Sequence, residues 1–190
     1  MDYAKRRDYL LDAVTALNLA AVERVAESTF DTYRRGGKII ACGNGGSAVD
    51  ARHFTSEFTT YGRPAITLGS AEEVLALGND YPDGFETVFA RLLRAQGKEG
   101  DILYGISTSG KAKNVQAALQ TAREMGIYAV GVVGNGPQSQ EIVRRSDAVI
   151  QVPFDETSIV QEVYKHALHS IWFDVMQRLG VQIGGSDRWC

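Results

Sequence analysis

The sequence predicts an α/β fold, in which a parallel sheet carries helices on both faces. Short apolar segments with the length of buried strands recur along the 190-residue chain. Segments with helical periodicity, mostly about 10–15 residues long, lie between them, as is typical of crossovers between parallel strands. Two of the apolar segments run directly into polar, glycine-containing loops that open helices. Together these observations predict three layers, with the sheet in the middle.

The first elements follow from periodicity and from glycines. Residues 3–35 carry apolar side chains at helical spacing, so we expect two N-terminal helices that end at Gly36-Gly37. Residues 38–42 are predicted to form a buried strand, because four apolar residues there precede an abrupt polar loop. Residues 47–60 are predicted to form a helix, with Ser47 as its N-cap.

The later elements keep the same alternation. The apolar stretches that end in glycine, proline or polar residues are predicted strands, and they span 64–69, 101–107, 127–134 and 148–153. The segments between and after them are predicted helices, and they span 71–78, 84–96, 111–126, 138–146 and 157–179. We find no repeat or linker, so we expect one domain over 1–190, with a loose tail at 184–190.

Composition excludes several classes of function. The hydrophobic fraction of 44% and the charged fraction of 23% are ordinary for a globular domain. A net charge of −3 without a basic cluster argues against a nucleic-acid partner. No apolar run of about 18 residues predicts a membrane span, and the first residues lack a signal-peptide core. Two cysteines, Cys42 and Cys190, form no disulfide framework, so we expect a cytoplasmic protein with Cys42 in its core.

Two polar loops follow predicted strands, at the edge where ligands bind in such sheets. One is Gly43-Asn44-Gly45-Gly46-Ser47, and the other is Ser107-Thr108-Ser109-Gly110. Glycines let a ligand approach the backbone, helix N-termini favour anions, and hydroxyls add hydrogen bonds. The loops predict a site for a phosphate or a hydroxyl-rich ligand; the alternative is two tight turns with capping serines. Neither loop has the glycine spacing of a P-loop or a dinucleotide fingerprint.

Titratable side chains follow the first loop. His53 and Glu57 are four residues apart and share a helix face, with Asp50 on the adjoining turn. They could form an acid/base pair, two metal ligands, or a solvated ion pair. His166 and His169 lie in the last helix, where the residues alone indicate structural histidines.

Five motifs between about residues 40 and 170 occur in the order and spacing of one family. They are Cys42-Gly43-Asn44-Gly45-Gly46-Ser47, Asp50-Ala51-x-His53-Phe54-x-x-Glu57, Asn79-Asp80 with Val88-Phe89-Ala90-Arg91, Ser107-Thr108-Ser109-Gly110, and Gln161-Glu162 with His169. In these motifs the chain resembles the SIS-domain (sugar isomerase) phosphosugar isomerases, and among them the phosphoheptose isomerases. The two N-terminal helices over 1–36 also match that family, in which they pack in the oligomer.

The resemblance implies a flavodoxin-like sheet and a cytoplasmic homotetramer with active sites between subunits. It implies an aldose–ketose isomerase that converts sedoheptulose 7-phosphate to a heptose 7-phosphate, with Glu57 and His169 as the acid/base pair. It implies zinc in the members that hold a metal, with ligands at His53, Glu57, Gln161 and His169. It implies a substrate site formed by Asn44, Gly45, Gly46, Ser47, Asn79, Asp80, Ser107, Thr108, Ser109 and Gln161. We assign Glu57 as the carbon base and His169 as the oxygen-side acid/base, and the reverse assignment stays open.

The spacing of Gln161 and His169 raises a geometric problem. Eight residues on a continuous helix correspond to about 12 Å of rise. Either the helix begins after Gln161, or one of the two residues serves a site that a neighbouring chain completes. The second option predicts an inactive monomer.

The chain departs from the family at two places that affect substrate recognition. Gly110-Lys111-Ala112 stands where the family usually has Gly-Asn-Ser, and Ile159-Val160-Gln161 stands where it has Arg-Ile-Gln. Lys111 is either a phosphate partner or a solvated residue. A related ketose phosphate, such as an octulose phosphate, is therefore an alternative substrate. A non-catalytic SIS protein that binds sugar phosphate or a protein partner is a further alternative, which the presence of both Glu57 and His169 disfavours.

Overall fold

The structure is a computed structural model, and it describes residues 2–183. The predicted tail at 184–190 lies outside the described residues. The helices are α1 (Tyr3–Thr15), α2 (Leu19–Arg34), α3 (Gly46–Thr60), α4 (Ala71–Asp80), α5 (Gly84–Gln96), α6 (Lys113–Glu124), α7 (Ser139–Val143) and α8 (Thr157–Arg178). The strands are β1 (Ile39–Gly43), β2 (Ala65–Thr67), β3 (Ile102–Ser107), β4 (Tyr128–Val133) and β5 (Ala148–Gln151).

The five strands form one parallel sheet in the order β2-β1-β3-β4-β5. This is the flavodoxin-like order, and it confirms the predicted fold class. The helices that connect the strands lie on both faces, so β1 and β3 are buried along their whole length. Burial on both faces explains why these strands read as continuous apolar runs in the sequence.

Alternate residues of β1 point into two separate cores. Ile39 and Ala41 pack into the core that contains α2, α3 and α8. Ile40 and Cys42 pack into the core that contains α5 and α6. Burial raises the pKa of the Cys42 thiol to about 12, which confirms its prediction as a small core residue.

The N-terminal helices pack on the last helix. Both α1 and α2 contact α8, and α2 also contacts β5. Arg6 on α1 donates hydrogen bonds to Ser158 Oγ at 2.7 Å and to Glu162 Oε1 at 3.0 Å.

Within the described residues, none of the helices combines the length and apolar character that crossing a bilayer requires.

The predicted elements are all present, with differences at their ends. The second and last strands are shorter than predicted, over 65–67 and 148–151, and the predicted residues outside them include Pro64 and Pro153, which have no backbone N–H to donate to a sheet. Ser47 is not the N-cap of α3: Gly45 occupies that position, and the Ser47 hydroxyl contacts Tyr164 instead. Helix α8 is continuous through both Gln161 and His169, which rules out the first of the two options, a helix start after Gln161.

Candidate active site

The two polar loops meet at the carboxyl edge of the sheet. Strands β1 and β3 are neighbours, with Gly43 opposite Ile106, so the loops that follow them start side by side. Asn44 and Asn114 join the loops through a reciprocal amide pair: Asn44 Nδ2 donates to Asn114 Oδ1 at 2.8 Å, and Asn114 Nδ2 donates to Asn44 Oδ1 at 2.9 Å. This edge lies where the strand order reverses, which is the usual ligand site of such sheets.

Two glycines shape the first loop. Gly45 has a φ of 54°, a left-handed conformation that L side chains rarely adopt. Gly46 begins α3 directly against the amide of Gln161, and a side chain at this position would push that flexible amide aside. The loop can therefore bring the backbone of the α3 N-terminus close to a ligand.

Both loops open helices, and their free backbone N–H groups favour an anion. At the start of α6 the N-cap residue is Ala112, which forms no side-chain capping bond. Asn114 Oδ1 accepts from Val115 N at 2.9 Å instead. The side chain of Lys111 is exposed beside this helix start, and its backbone N donates to Ser109 Oγ at 3.4 Å.

A polar cluster lies behind the first turn of α3. Asp50 is only 8% exposed, and its Oδ2 accepts from Tyr164 Oη at 2.5 Å and from Gln161 Nε2 at 3.4 Å. Lys165 Nζ lies 3.6 Å from Asp50 Oδ1, and Ser47 Oγ lies 3.1 Å from Tyr164 Oη. Burial, together with the hydrogen bond to Asp50, raises the pKa of Tyr164 above its usual value, so its hydroxyl stays protonated.

Two turns further along α3, His53 and Glu57 meet His169 of α8 in the same chain. The Nε2 atoms of the two histidines are 3.0 Å apart, and His53 Nε2 lies 3.5 Å from Glu57 Oε1. Two nitrogens at this distance can share only one hydrogen, so at least one of them is an unprotonated acceptor. Burial, with His53 next in effect, lowers the pKa of His169, which favours its neutral imidazole.

The backbone around Glu57 is held by α8. Trp172 Nε1 donates to the carbonyl oxygen of Glu57 at 3.2 Å, and Trp172 itself is buried. The Glu57 side chain is 26% exposed, so its carboxylate remains accessible to a ligand. Helix packing therefore fixes the carboxylate beside the imidazoles.

The three side chains could hold a metal ion. One ligand atom from each of His53, Glu57 and His169 lies within 4.8 Å of the others. Two imidazole nitrogens with one carboxylate oxygen suit a transition metal better than calcium or magnesium. The group lies on the surface side of the α3–α8 contact, with His53 about 10 Å and Glu57 about 16 Å along α3 from Gly46.

Three of the predicted site residues are not brought to this group. Gln161 lies about 12 Å along α8 from His169, next to Asp50 and Gly46. Asn79 and Asp80 are exposed at the end of α4, where Asn79 Nδ2 donates to Asp80 Oδ1 at 3.0 Å. Among the described residues, no hydrogen bond links Asn79 or Asp80 to either loop.

Sequence reasoning missed two residues that support the site. Tyr164 shares a helix face with the apolar residues Val160 and Leu168 and resembles a core residue, and nothing in the sequence indicated its bond to Asp50. Asn114 lies just inside a predicted helix, where no local pattern indicates a partner for its amide. Asn114 is 1% exposed, which only the packing of α6 against β3 and β4 reveals.

Comparisons with known proteins agree with this architecture. The SIS domain family matches residues 2–134. The phosphoheptose isomerase of an Enterobacter species is 38% identical over 159 residues, which are 80% of this chain and 81% of that protein. The phosphoheptose isomerase of a Roseiflexus species is 42% identical over 154 residues, 77% of this chain and 76% of that protein.

Solved structures agree as well. The phosphoheptose isomerase of Neisseria gonorrhoeae superposes with a TM-score of 0.85 at 32% identity, over 92% of this chain and 96% of that one. The phosphoheptose isomerase of Francisella tularensis has a TM-score of 0.80 at 30% identity, over 92% of this chain and 95% of that one. With this sheet order, these loops and these relatives, the chain belongs to the phosphoheptose isomerase family of SIS-domain proteins.

Proposed function

We propose that this protein is an aldose–ketose isomerase that converts sedoheptulose 7-phosphate to a heptose 7-phosphate through an enediol(ate). The observation that carries the proposal is the meeting of Glu57 and His169, from two different helices, within 4.8 Å of each other. The relatives named phosphoheptose isomerase support the choice of substrate.

The reaction moves a carbonyl group from C2 to C1. A base removes a proton from C1 and returns it to C2, and a second group moves the proton between the two oxygens. Glu57 serves as the carbon base, since its carboxylate is partly exposed while its backbone is anchored by Trp172. His169 serves the oxygens, since its lowered pKa leaves the imidazole neutral and able to accept a proton. Each contribution is typically about 10²–10⁴ in rate.

The two loops together would hold the sugar phosphate. The starts of α3 and α6 supply free N–H groups, and Ser107, Thr108 and Ser109 supply hydroxyls. Along α3, His53 lies about 10 Å and Glu57 about 16 Å from Gly46, at which the helix begins. The carbonyl end of the substrate would lie at Glu57 and His169, and its carbon chain would extend toward the loops.

Zinc is the metal that we propose for the His53–Glu57–His169 group. Two imidazoles and a carboxylate form a known catalytic zinc set, and ligand atoms of a tetrahedral zinc lie about 3.4 Å apart. The distances of 3.0 Å and 3.5 Å in this group lie on either side of that value. A zinc held by His169 Nε2 would leave that nitrogen unable to accept a proton, and it would then serve the sugar carbonyl as a Lewis acid in place of proton transfer by His169.

We further propose that the protein is a homotetramer, and that residues 1–190 form one SIS domain whose N-terminal helices (1–36) pack in the oligomer. Apolar side chains exposed on α1 and α4 support the proposal, with Leu11 58% and Leu75 73% exposed. A neighbouring subunit would supply Gln161, Asn79 and Asp80, which lie apart from Glu57 in one chain.

The buried free Cys42 supports a reducing, cytoplasmic location.

The test is an isomerase assay with sedoheptulose 7-phosphate. We expect turnover by the parent chain, and a loss of about 10²–10⁴-fold in kcat for Glu57→Gln and for His169→Ala. Glu124→Gln is the matched control, because Glu124 is an exposed carboxylate at the far end of α6. We expect removal of this carboxylate to leave turnover unchanged.

The alternatives give different results. Turnover of an octulose phosphate in preference to the heptulose phosphate would support the same isomerase reaction with a different substrate. If no seven- or eight-carbon ketose phosphate is turned over and sugar-phosphate binding is retained, the protein is a non-catalytic binding protein.

A further inference from the structure

The Ser47 hydroxyl lies at the start of α3, where the proposed substrate site begins. Ser47 is 6% exposed, and its Oγ lies 3.1 Å from Tyr164 Oη. Either oxygen of this pair could donate when the pair is considered alone. The direction matters, because a hydroxyl that donates inward presents only lone pairs to a ligand.

The neighbour on the other side of Tyr164 decides the direction. Tyr164 Oη donates to Asp50 Oδ2 at 2.5 Å, and Gln161 Nε2 donates to the same oxygen at 3.4 Å. A tyrosine hydroxyl has one hydrogen, and a carboxylate only accepts. Because Tyr164 donates its single hydroxyl hydrogen to Asp50, Ser47 has to be the donor in the hydrogen bond between Ser47 and Tyr164.

We propose that Tyr164 and Asp50 are positioning residues that fix the Ser47 hydroxyl as a hydrogen-bond acceptor, so that Ser47 binds a hydroxyl group of the sugar and not a phosphate oxygen. The phosphate monoester dianion of a sugar phosphate has only acceptor oxygens, whereas each sugar hydroxyl can donate. The inference deepens the proposed function and rests on it, because it assigns a role toward a sugar phosphate.

The charges around the two loops agree with this division. The Asp50 carboxylate lies directly behind Ser47, and its nearest cation, Lys165 Nζ, is 3.6 Å from Oδ1. A carboxylate near the start of α3 disfavours a dianion there. At the second loop, the Ser109 Oγ accepts from Lys111 N and so keeps its own hydrogen available for an acceptor.

Two ligands separate the two roles in a binding experiment. Methyl phosphate, whose dianion has no hydrogen to donate, presents only the anionic group, and sedoheptulose 7-phosphate adds the hydroxyls. Calorimetric titration of the full chain with each ligand requires no turnover. We expect Ser47→Ala to weaken sugar-phosphate binding about tenfold and to leave phosphate binding within about twofold.

Tyr164→Phe tests the positioning residues. The ring keeps its buried packing, and the Ser47 hydrogen loses its acceptor and becomes free to turn toward a ligand. We expect weaker sugar-phosphate binding and unchanged or tighter phosphate binding. Tyr104→Phe is the matched control: Tyr104 is equally buried, and its hydroxyl contacts Thr29 at 2.6 Å, away from the loops. This control leaves both affinities unchanged.

The ratio of the two affinities separates this role from a loss of folding, which would lower both together. Equal losses for the two ligands in Ser47→Ala would assign Ser47 to the phosphate and overturn the inference. No change for either ligand would overturn it too, as would Tyr164→Phe behaving like Tyr104→Phe. If sedoheptulose 7-phosphate binds the parent chain no more tightly than methyl phosphate does, no sugar hydroxyl donates a hydrogen bond to Ser47, and the inference is overturned. The proposed function fails separately, by the absence of turnover in the parent chain.

Discussion

Single side chains hold the two loops of the candidate site in place. Asn44 and Asn114 satisfy each other's amide groups, and Asn114 Oδ1 also accepts from the backbone of Val115. Asn114 is almost fully buried, so each of its polar atoms needs a partner. Its role in binding would be indirect, through the conformation of Asn44.

Removal of this amide is expected to destabilise the protein. Asn114→Ala leaves the half-buried amide of Asn44 without its partner, and we expect a loss of about 1–3 kcal/mol in the free energy of unfolding. Urea denaturation, monitored by circular dichroism, measures this loss of stability. Asn79→Ala is the control, because the exposed Asn79 should change stability by less than about 0.5 kcal/mol. Equal stability of the two variants would contradict the proposed importance of the pair.

At the scale of elements, the helix starts at the two loops differ. Helix α3 begins with glycines that allow close approach, and α6 begins with Ala112, which has no capping hydroxyl. Ala112 has a φ of −68° and a ψ of 99°, an extended conformation that an N-cap serine also adopts. The missing cap lies where the chain departs from the usual Gly-Asn-Ser motif.

A serine at this position is expected to stabilise α6. Ala112→Ser lets the new hydroxyl accept from a free N–H of the first turn, and we expect about 1 kcal/mol of added stability. Thermal unfolding measures the gain. Ala16→Ser is the matched control, because Ala16 ends α1, where no helix-start N–H is free, so we expect little change. A gain in Ala16→Ser as large as in Ala112→Ser would contradict the capping explanation.

At the scale of the whole molecule, the metal group joins two helices that are far apart in the sequence. His53 and Glu57 lie on α3 and His169 lies on α8, so a bound ion would link the two. A ligand that binds only the folded state stabilises it by mass action, about 2.7 kcal/mol at a hundredfold excess over Kd.

Zinc is therefore expected to raise the melting temperature of the chelator-treated protein. We expect a rise of several degrees for the parent chain and no rise for His53→Ala, as measured by differential scanning calorimetry. His166→Ala is the matched control, because His166 is an exposed histidine of α8 outside the group and should leave the rise intact. A rise in His53→Ala equal to that of the parent would exclude this group as the zinc site.

The proposed shared site predicts complementation between inactive variants. Glu57→Gln and Gln161→Ala should each be inactive as homotetramers. When they are unfolded together and refolded as mixed tetramers, some sites combine an intact Glu57 with an intact Gln161 from a neighbour. We expect activity to return in proportion to such sites, measured by the same isomerase assay. Mixed tetramers without recovered activity would place both residues in a site formed by one chain.

Much of the architecture was predictable because its signals are local. Apolar runs bounded by glycine marked β1 and β3, and helical periodicity marked α3, α6 and α8. The direction of the Ser47 contact was not predictable, since a serine at a helix start usually caps that helix. Here Tyr164, 117 residues away, provides a better partner than the backbone.

The sequence by itself determined the parallel α/β fold, the two loops that follow strands and the pair His53 and Glu57, because strand runs, glycine loops and helix spacing depend on residues that are near each other in the chain. The resemblance led us to expect His169 with that pair, and only the tertiary structure places it there within one chain, places β1 beside β3 and places Gln161 beside Asp50. The tertiary structure also shows that Asn114 and Tyr164 support the loops. These contacts join residues more than 60 positions apart, and the packing of α8 and α6 on α3 and the sheet sets their distances. No local pattern encodes such packing, since it depends on the rotation and depth at which complete helices pack together.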